Sequence, residues 1–145
     1  MDAVTKKRGI GPGRILVLVY GIFAVAAGSR AAVQIATRFD DAPVAYLLSA
    51  LAAVVYLVNA VFLSKESSSS WRAARAMCVL ELVGVVVVGT ASLVAPQAFP
   101  DATVWSQFGL GYGMIPLLLP VLGLAWLGRT RPAATITPGA GPDPR

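Results

Sequence analysis

Four long apolar runs, at 15–37, 43–63, 73–95 and 108–127, constrain this chain more than any other feature. A helix needs about 20 residues to cross the hydrocarbon of a bilayer, and each run reaches that length. The pieces between them are too short to build a soluble core. Backbone groups facing lipid must be satisfied within the structure, so a spanning segment is a helix or a strand of a closed barrel. Barrel strands alternate polar and apolar residues. "LAAVVYLVNAVFL" and "LVGVVVVGTASLV" do not alternate. The strand preference of their valines yields to length and setting. The expected fold is all-α: an integral membrane four-helix bundle over 14–128. A basic tail at 1–13 and a Pro-rich tail at 129–145 read as disordered. "SKESSSSWR" reads as a flexible linker between the second and third spans.

Composition supports a lipid solvent. The chain is 57% hydrophobic and only 13% charged, where soluble domains carry about 25% charged residues. Its net charge of +5 would suggest nucleic acid in a soluble protein. Here the charges lie between apolar runs, so the expected partner is the bilayer and not nucleic acid. Lys6, Lys7, Arg8 and Arg14 precede the first run, Lys65, Arg72 and Arg75 surround the second connection, and Arg129, Arg131 and Arg145 follow the fourth. The positive-inside rule then predicts both termini in the cytoplasm, and a multi-pass protein of the bacterial plasma membrane. Trp71 and Trp126 fall at the inner interface; Phe39, Tyr46, Phe99, Trp105 and Phe108 fall near the outer one. "KKRGIGPGR" followed by "ILVLVYGIF" and "AVAA" also fits a signal peptide. Cleavage near Ala27 would leave three spans, but the apolar stretch continues through "AAVQIAT" into a full one.

The chain has no His and one Cys, Cys78. This excludes intrachain disulfides, CxxC redox pairs, His/Cys zinc sites, Ser-His-Asp and Cys-His arrangements and His-ligated haem. No metal or cofactor is expected, and no enzyme. Cys78 reads as a small buried apolar residue.

Ionisable residues inside the membrane are the default functional candidates, and here they are Arg30 and Glu81. Gln34 and Arg38 follow Arg30 at four-residue steps on one helix face. Ala24, Gly28 and Ala32 form a separate small-residue stripe suited to close packing. Arg30 and Glu81 lie roughly 10 Å apart along the membrane normal at a 1.5 Å rise per residue. Direct pairing is open; so is Arg30 snorkelling or meeting Asp40 or Asp41, with Glu81 protonated or bonded to Asn59. Asn59, with Tyr56 on its face, is a candidate cross-link between helices. Asp101 in "PQAFPDATVWSQF" reads as the N-cap of a short helix, and the aromatics around it as interfacial anchors or a lid. "GLGYGM" lacks both the dinucleotide and the phosphate-loop spacing. The fourth run therefore reads as a helix with Gly109 and Gly113 on a close-packing face and bends at Pro116 and Pro120.

"GRILVLVYGIFAVAAGSRAAVQIATRFDDAPVAYLLSALAAVVY" and "FPDATVWSQFGLGYGMIPLLLPVLGLAWL", with their Ala/Val/Gly/Arg-rich and Lys-poor usage, resemble small four-span integral membrane proteins of actinobacteria that have no assigned function. The resemblance covers roughly residues 14–128 and brings no known chemistry, so no site carries over. Small multidrug transporters are similar in size but keep their key Glu in the first helix, whereas Glu81 lies in the third run. Two functions are then expected. The first is a non-catalytic accessory or structural subunit, binding another membrane protein or a second copy of itself. The second is a small transporter or lipid-handling protein using Arg30, Gln34 and Glu81 around a cavity beside the bent fourth helix; with Asn59 these are the candidate binding residues.

Overall fold

A computed structural model of the chain describes residues 11–133. The expected tails fall outside the described residues over 1–10 and 134–145. Residues 12–14, counted with the tail or its edge, instead open the first helix. Among the described residues the protein is all-helical, with no strand. Four helices follow one another: α1 (Pro12–Arg38), α2 (Pro43–Leu63), α3 (Ser68–Val94) and α4 (Ile115–Arg129). Short 3-10 turns at Phe39–Asp41, Pro96–Ala98 and Ser106–Tyr112 lie between them.

Local chemistry sets the helix starts. Pro12 and Pro43 occupy the first turns of α1 and α2, where the missing N–H removes no helical bond. Ser67 caps α3, its hydroxyl accepting from the Ser70 amide at 3.1 Å. The serine run expected as a linker is therefore the first turn of α3. The indole N–H of Trp71, one turn further on, donates to the Leu127 carbonyl at 2.9 Å and ties this end of α3 to α4.

The core lies along seams of residues three and four apart. On α1 the seam is Leu16, Tyr20, Ala24, Ala27, Ala31 and Gln34. On α3 it is Ser70, Ala74, Cys78, Glu81, Val85, Val88 and Ser92. Such spacing keeps one stripe turned to the bundle. The small-residue stripe thus runs through Ala24, Ala27 and Ala31. Gly28 is half-buried and Ala32 is exposed, contrary to the expected grouping. α1 packs chiefly on α2, which presents Ala45, Ala52, Ala53 and Ala60; small residues on both helices let their backbones approach. α2 also packs on α3, α3 on α4, and α4 touches α1. Large aliphatics, including Leu18, Val25, Leu51, Val54 and Val87, cover the outside and are more than half or about half exposed. An apolar exterior of this extent suits lipid or a protein neighbour, not water.

Three helices are long and apolar enough to cross a membrane, and the count reaches four only if the segments Ser106–Tyr112 and Ile115–Arg129 form one broken span. These two meet at an angle of 99°. The continuous fourth helix expected over 108–127 does not form. Gly113 and Met114 turn the chain with φ of 64° and 60°. Pro116 lies in the first turn of α4 and starts that helix; it does not bend it. Pro120 does sit inside α4. Gly109, at φ 79°, lies against the Pro116 ring, where a Cβ would stand 2.7 Å from ring carbons. The glycines of this run make a turn that leads back into the bundle.

Candidate functional site

Two carboxylates organise the polar side chains, and they lie in different places. Glu81 is the central residue of α3 and is fully buried. Its Oε2 accepts from the Tyr20 hydroxyl at 2.7 Å and from Asn59 Nδ2 at 3.3 Å. Asn59 Nδ2 also lies 3.3 Å from Cys78 Sγ, and the Tyr20 hydroxyl lies 3.8 Å from the same sulfur. Three helices thus send polar groups to one point, each by its inward seam. Tyr20, Asn59, Cys78 and Glu81 have no exposed surface. Glu81 Oε1 has no partner. Among the described residues no Lys or Arg forms an ion pair with Glu81.

The pairing of Arg30 with Glu81, one of the expected alternatives, is not formed. Arg30 turns to the loop between α3 and α4. Its guanidinium lies 4.0 Å from Asp101 Oδ1 and donates to the Tyr112 hydroxyl. Arg38 lies 3.9 Å from Asp101 Oδ2. Gln34 Nε2 and the Tyr46 hydroxyl donate to the same oxygen at 3.4 Å and 3.0 Å. Arg30, Gln34 and Arg38 do share one face of α1, and that face closes on Asp101. Asp101 is therefore no helix cap but a latch between the loop and the first two helices. Both arginine side chains are about half exposed, which keeps each ion pair weak. Gln34 is buried, and its Oε1 has no partner.

Between latch and pocket lies a plug. Thr103 Oγ1 accepts from the amides of Trp105 and Ser106 at 3.1 Å and 2.9 Å, and Ser106 Oγ accepts from the Thr103 amide at 2.9 Å. This reciprocal bonding resembles a capping box and fixes the turn that precedes the 3-10 segment Ser106–Tyr112. Ser92 Oγ accepts from the Gln107 amide at 2.9 Å, holding the segment to the end of α3. Gln107 and Phe108 take φ of 51° and 59°. Such left-handed backbone costs on the order of 1–3 kcal/mol per non-glycine residue and persists only where the surroundings enforce it. Trp105 is the result of this geometry. It is 3% exposed, and its indole N–H donates to the Tyr56 hydroxyl at 2.9 Å. Its ring covers Gly84, where a Cβ would sit 2.8 Å from ring carbons. Trp105 is a buried wedge, not the interfacial anchor expected of it. The Tyr56 ring is 6.1 Å from that of Tyr20 and 5.9 Å from that of Phe23, and Phe23 in turn meets Tyr112 at 6.2 Å. Aromatic contacts thus connect the pocket to the plug.

Of the sequence candidates, Asn59 and Glu81 are brought together in the inner pocket, and Arg30 and Gln34 in the outer latch. Tyr20, Tyr46, Asp101 and Tyr112 were not among them. Tyr20 had one available signal: it falls on the three-and-four-spaced seam of α1, which turns its hydroxyl inward. A separate cleft of about 360 Å³ opens between α1 and α4, lined by Ile15, Leu16, Leu122, Trp126 and Arg129 among others. Comparison with protein-family models, with curated proteins and with solved structures finds no match.

Proposed function

We propose that this chain is a multi-pass protein of the bacterial plasma membrane, with both termini cytoplasmic, that serves as an accessory or structural subunit of other membrane proteins and is not an enzyme. The observation that supports this most is the use of its polar groups. Arg30, Gln34, Arg38 and Tyr46 all bind Asp101 of the same chain, and so hold its loop to its own helices. Interhelical polar bonds of this kind stabilise bundles by about 0.6–2 kcal/mol each. The exposed faces of α1, α2 and α3 offer lipid or a neighbouring helix mostly aliphatic side chains. The basic residues bordering the spans support the orientation. The partners in this reading are the bilayer and another membrane protein or a second copy, with no nucleic acid and no cofactor.

Affinity purification in mild detergent tests it, with a photo-crosslinking residue at Leu122 in the α1–α4 cleft. A stoichiometric crosslinked membrane protein is expected. Repeated recovery of the chain alone would sink the subunit reading.

One observation favours a second reading, a small transporter or lipid-handling protein: the unpartnered oxygen of Glu81 at the centre of α3. Arg30 has no part in that pocket, so this reading rests on Glu81 and Asn59.

A further inference from the structure

Glu81 poses a chemical problem that the fold leaves open. A buried carboxylate without a counter-charge is among the costliest groups a protein can carry. Its two hydrogen bonds both fall on Oε2, and Oε1 has none. Among the described residues, the polar groups that contact Glu81 or its two donors are uncharged: Tyr20 from α1, Asn59 from α2 and Cys78 from its own helix, while Tyr56, its ring 6.1 Å from that of Tyr20, accepts from the Trp105 indole. α4 adds only Gly123, packed so closely that a Cβ there would stand 2.8 Å from Cys78 Sγ. The arginine that could have neutralised Glu81 is committed to Asp101. Some positive species must therefore complete the pocket.

Its size decides which. Hard metal cations bound by proteins take about six or more oxygens. Here the oxygens are those of Glu81 itself, Asn59 Oδ1 and the Tyr20 hydroxyl. No group of three or more His, Cys, Asp or Glu surrounds a common point among the described residues. The occupant that fits is a proton. The hydrogen-bond pattern also says where it sits. A protonated carboxyl has one oxygen that only accepts and one that carries the hydrogen; Oε2 already accepts twice, which leaves Oε1 as the O–H.

We propose that the pocket formed by Tyr20, Asn59, Cys78 and Glu81 is an intramembrane proton-binding site, with the proton on Glu81 Oε1 and the Trp105 plug shielding it from water. Release is balanced simply: the Oε1–H bond breaks, the electron pair stays on the carboxylate, and the proton passes to water admitted when the plug lifts. Tyr20 and Asn59 then remain as donors to the anion.

Infrared spectroscopy of the full chain in nanodiscs of zwitterionic lipid tests this. At neutral pH the protein should show the C=O stretch of a protonated carboxylic acid. The band should be absent in Glu81→Gln and present in Glu66→Gln, whose side chain is exposed in the connection before α3. On transfer to D₂O the band should shift, and at least severalfold faster in Trp105→Ala. Tyr56→Phe provides a milder version, keeping the ring but removing the acceptor of the Trp105 N–H, and should act in the same direction. Absence of the band at neutral pH overturns the proposal. So does a sodium- or potassium-dependent thermal stabilisation that Glu81→Gln abolishes, because the occupant is then an alkali ion. Unchanged exchange in both plug variants overturns the shielding. None of these readouts requires a partner protein, so they are independent of the subunit reading.

Discussion

The inner pocket and the outer latch are both built on one carboxylate that receives donors from separate helices, yet they solve opposite problems. Asp101 sits at the edge of the structure, a third exposed, with two arginines nearby. Water and counter-charge both stabilise it, so each bond to it adds little. Glu81 is fully buried with no counter-charge among the described residues, and two neutral donors face it. Removing a donor from the first lets solvent replace it; removing one from the second leaves a buried carboxyl with a single donor. Similar numbers of hydrogen bonds therefore carry different energetic weight in the two places.

Mutations can break or sharpen that contrast. The largest effect is expected at the plug between the two sites. Trp105→Ala should cost about 3–5 kcal/mol, as for other buried aromatics, measured by denaturant unfolding in detergent. A loss below about 1 kcal/mol would mean that the loop merely rests on the bundle. Next is Tyr20→Phe, which strips the closer of the two Glu81 donors and should cost about 1–3 kcal/mol. The matching change in the latch, Tyr46→Phe, should lower the melting temperature by distinctly less. Equal losses from the two tyrosines would abolish the contrast between pocket and latch. The smallest effects belong to the arginines. Arg30→Ala should cost at most about 1 kcal/mol, and less in high salt. In double-mutant cycles Arg30→Ala and Glu81→Gln should add to within about 0.5 kcal/mol, because they share no partner. Arg30→Ala with Asp101→Asn should show coupling of about 0.2–1 kcal/mol. Coupling only in the first cycle would reverse the assignment of partners.

The helical seams and the polar candidates were legible in the sequence to different degrees. α2 runs Pro43–Leu63, the range its apolar run predicts, because Pro43 opens it and polar residues follow it. Glu81, Asn59 and Arg30 stand out as polar residues in apolar runs. The fourth run misleads, because hydrophobicity along a window is blind to backbone dihedrals. Gly109 and Gly113 fit a packed helix or a left-handed turn equally well, and the observed path depends on positive φ at 107–109 and again at 113–114. Trp105 misleads for a related reason: an aromatic near a predicted interface is an anchor only if its loop stays outside.

Residue order alone determined that this chain is helical, that three or four of its segments suit a bilayer, and that Glu81 stands inside an apolar run. Those properties come from local composition and from periods of three and four. Tertiary structure decided the partners. Asp40 and Asp41 lie two and three residues from Arg38 in the chain, yet Asp101, 67 residues from Gln34, takes the contacts with Arg30, Gln34 and Arg38. Such pairings depend on where the loop after α3 re-enters the bundle. That path is set by the Thr103–Ser106 and Ser92–Gln107 bonds and by the space left over Gly84.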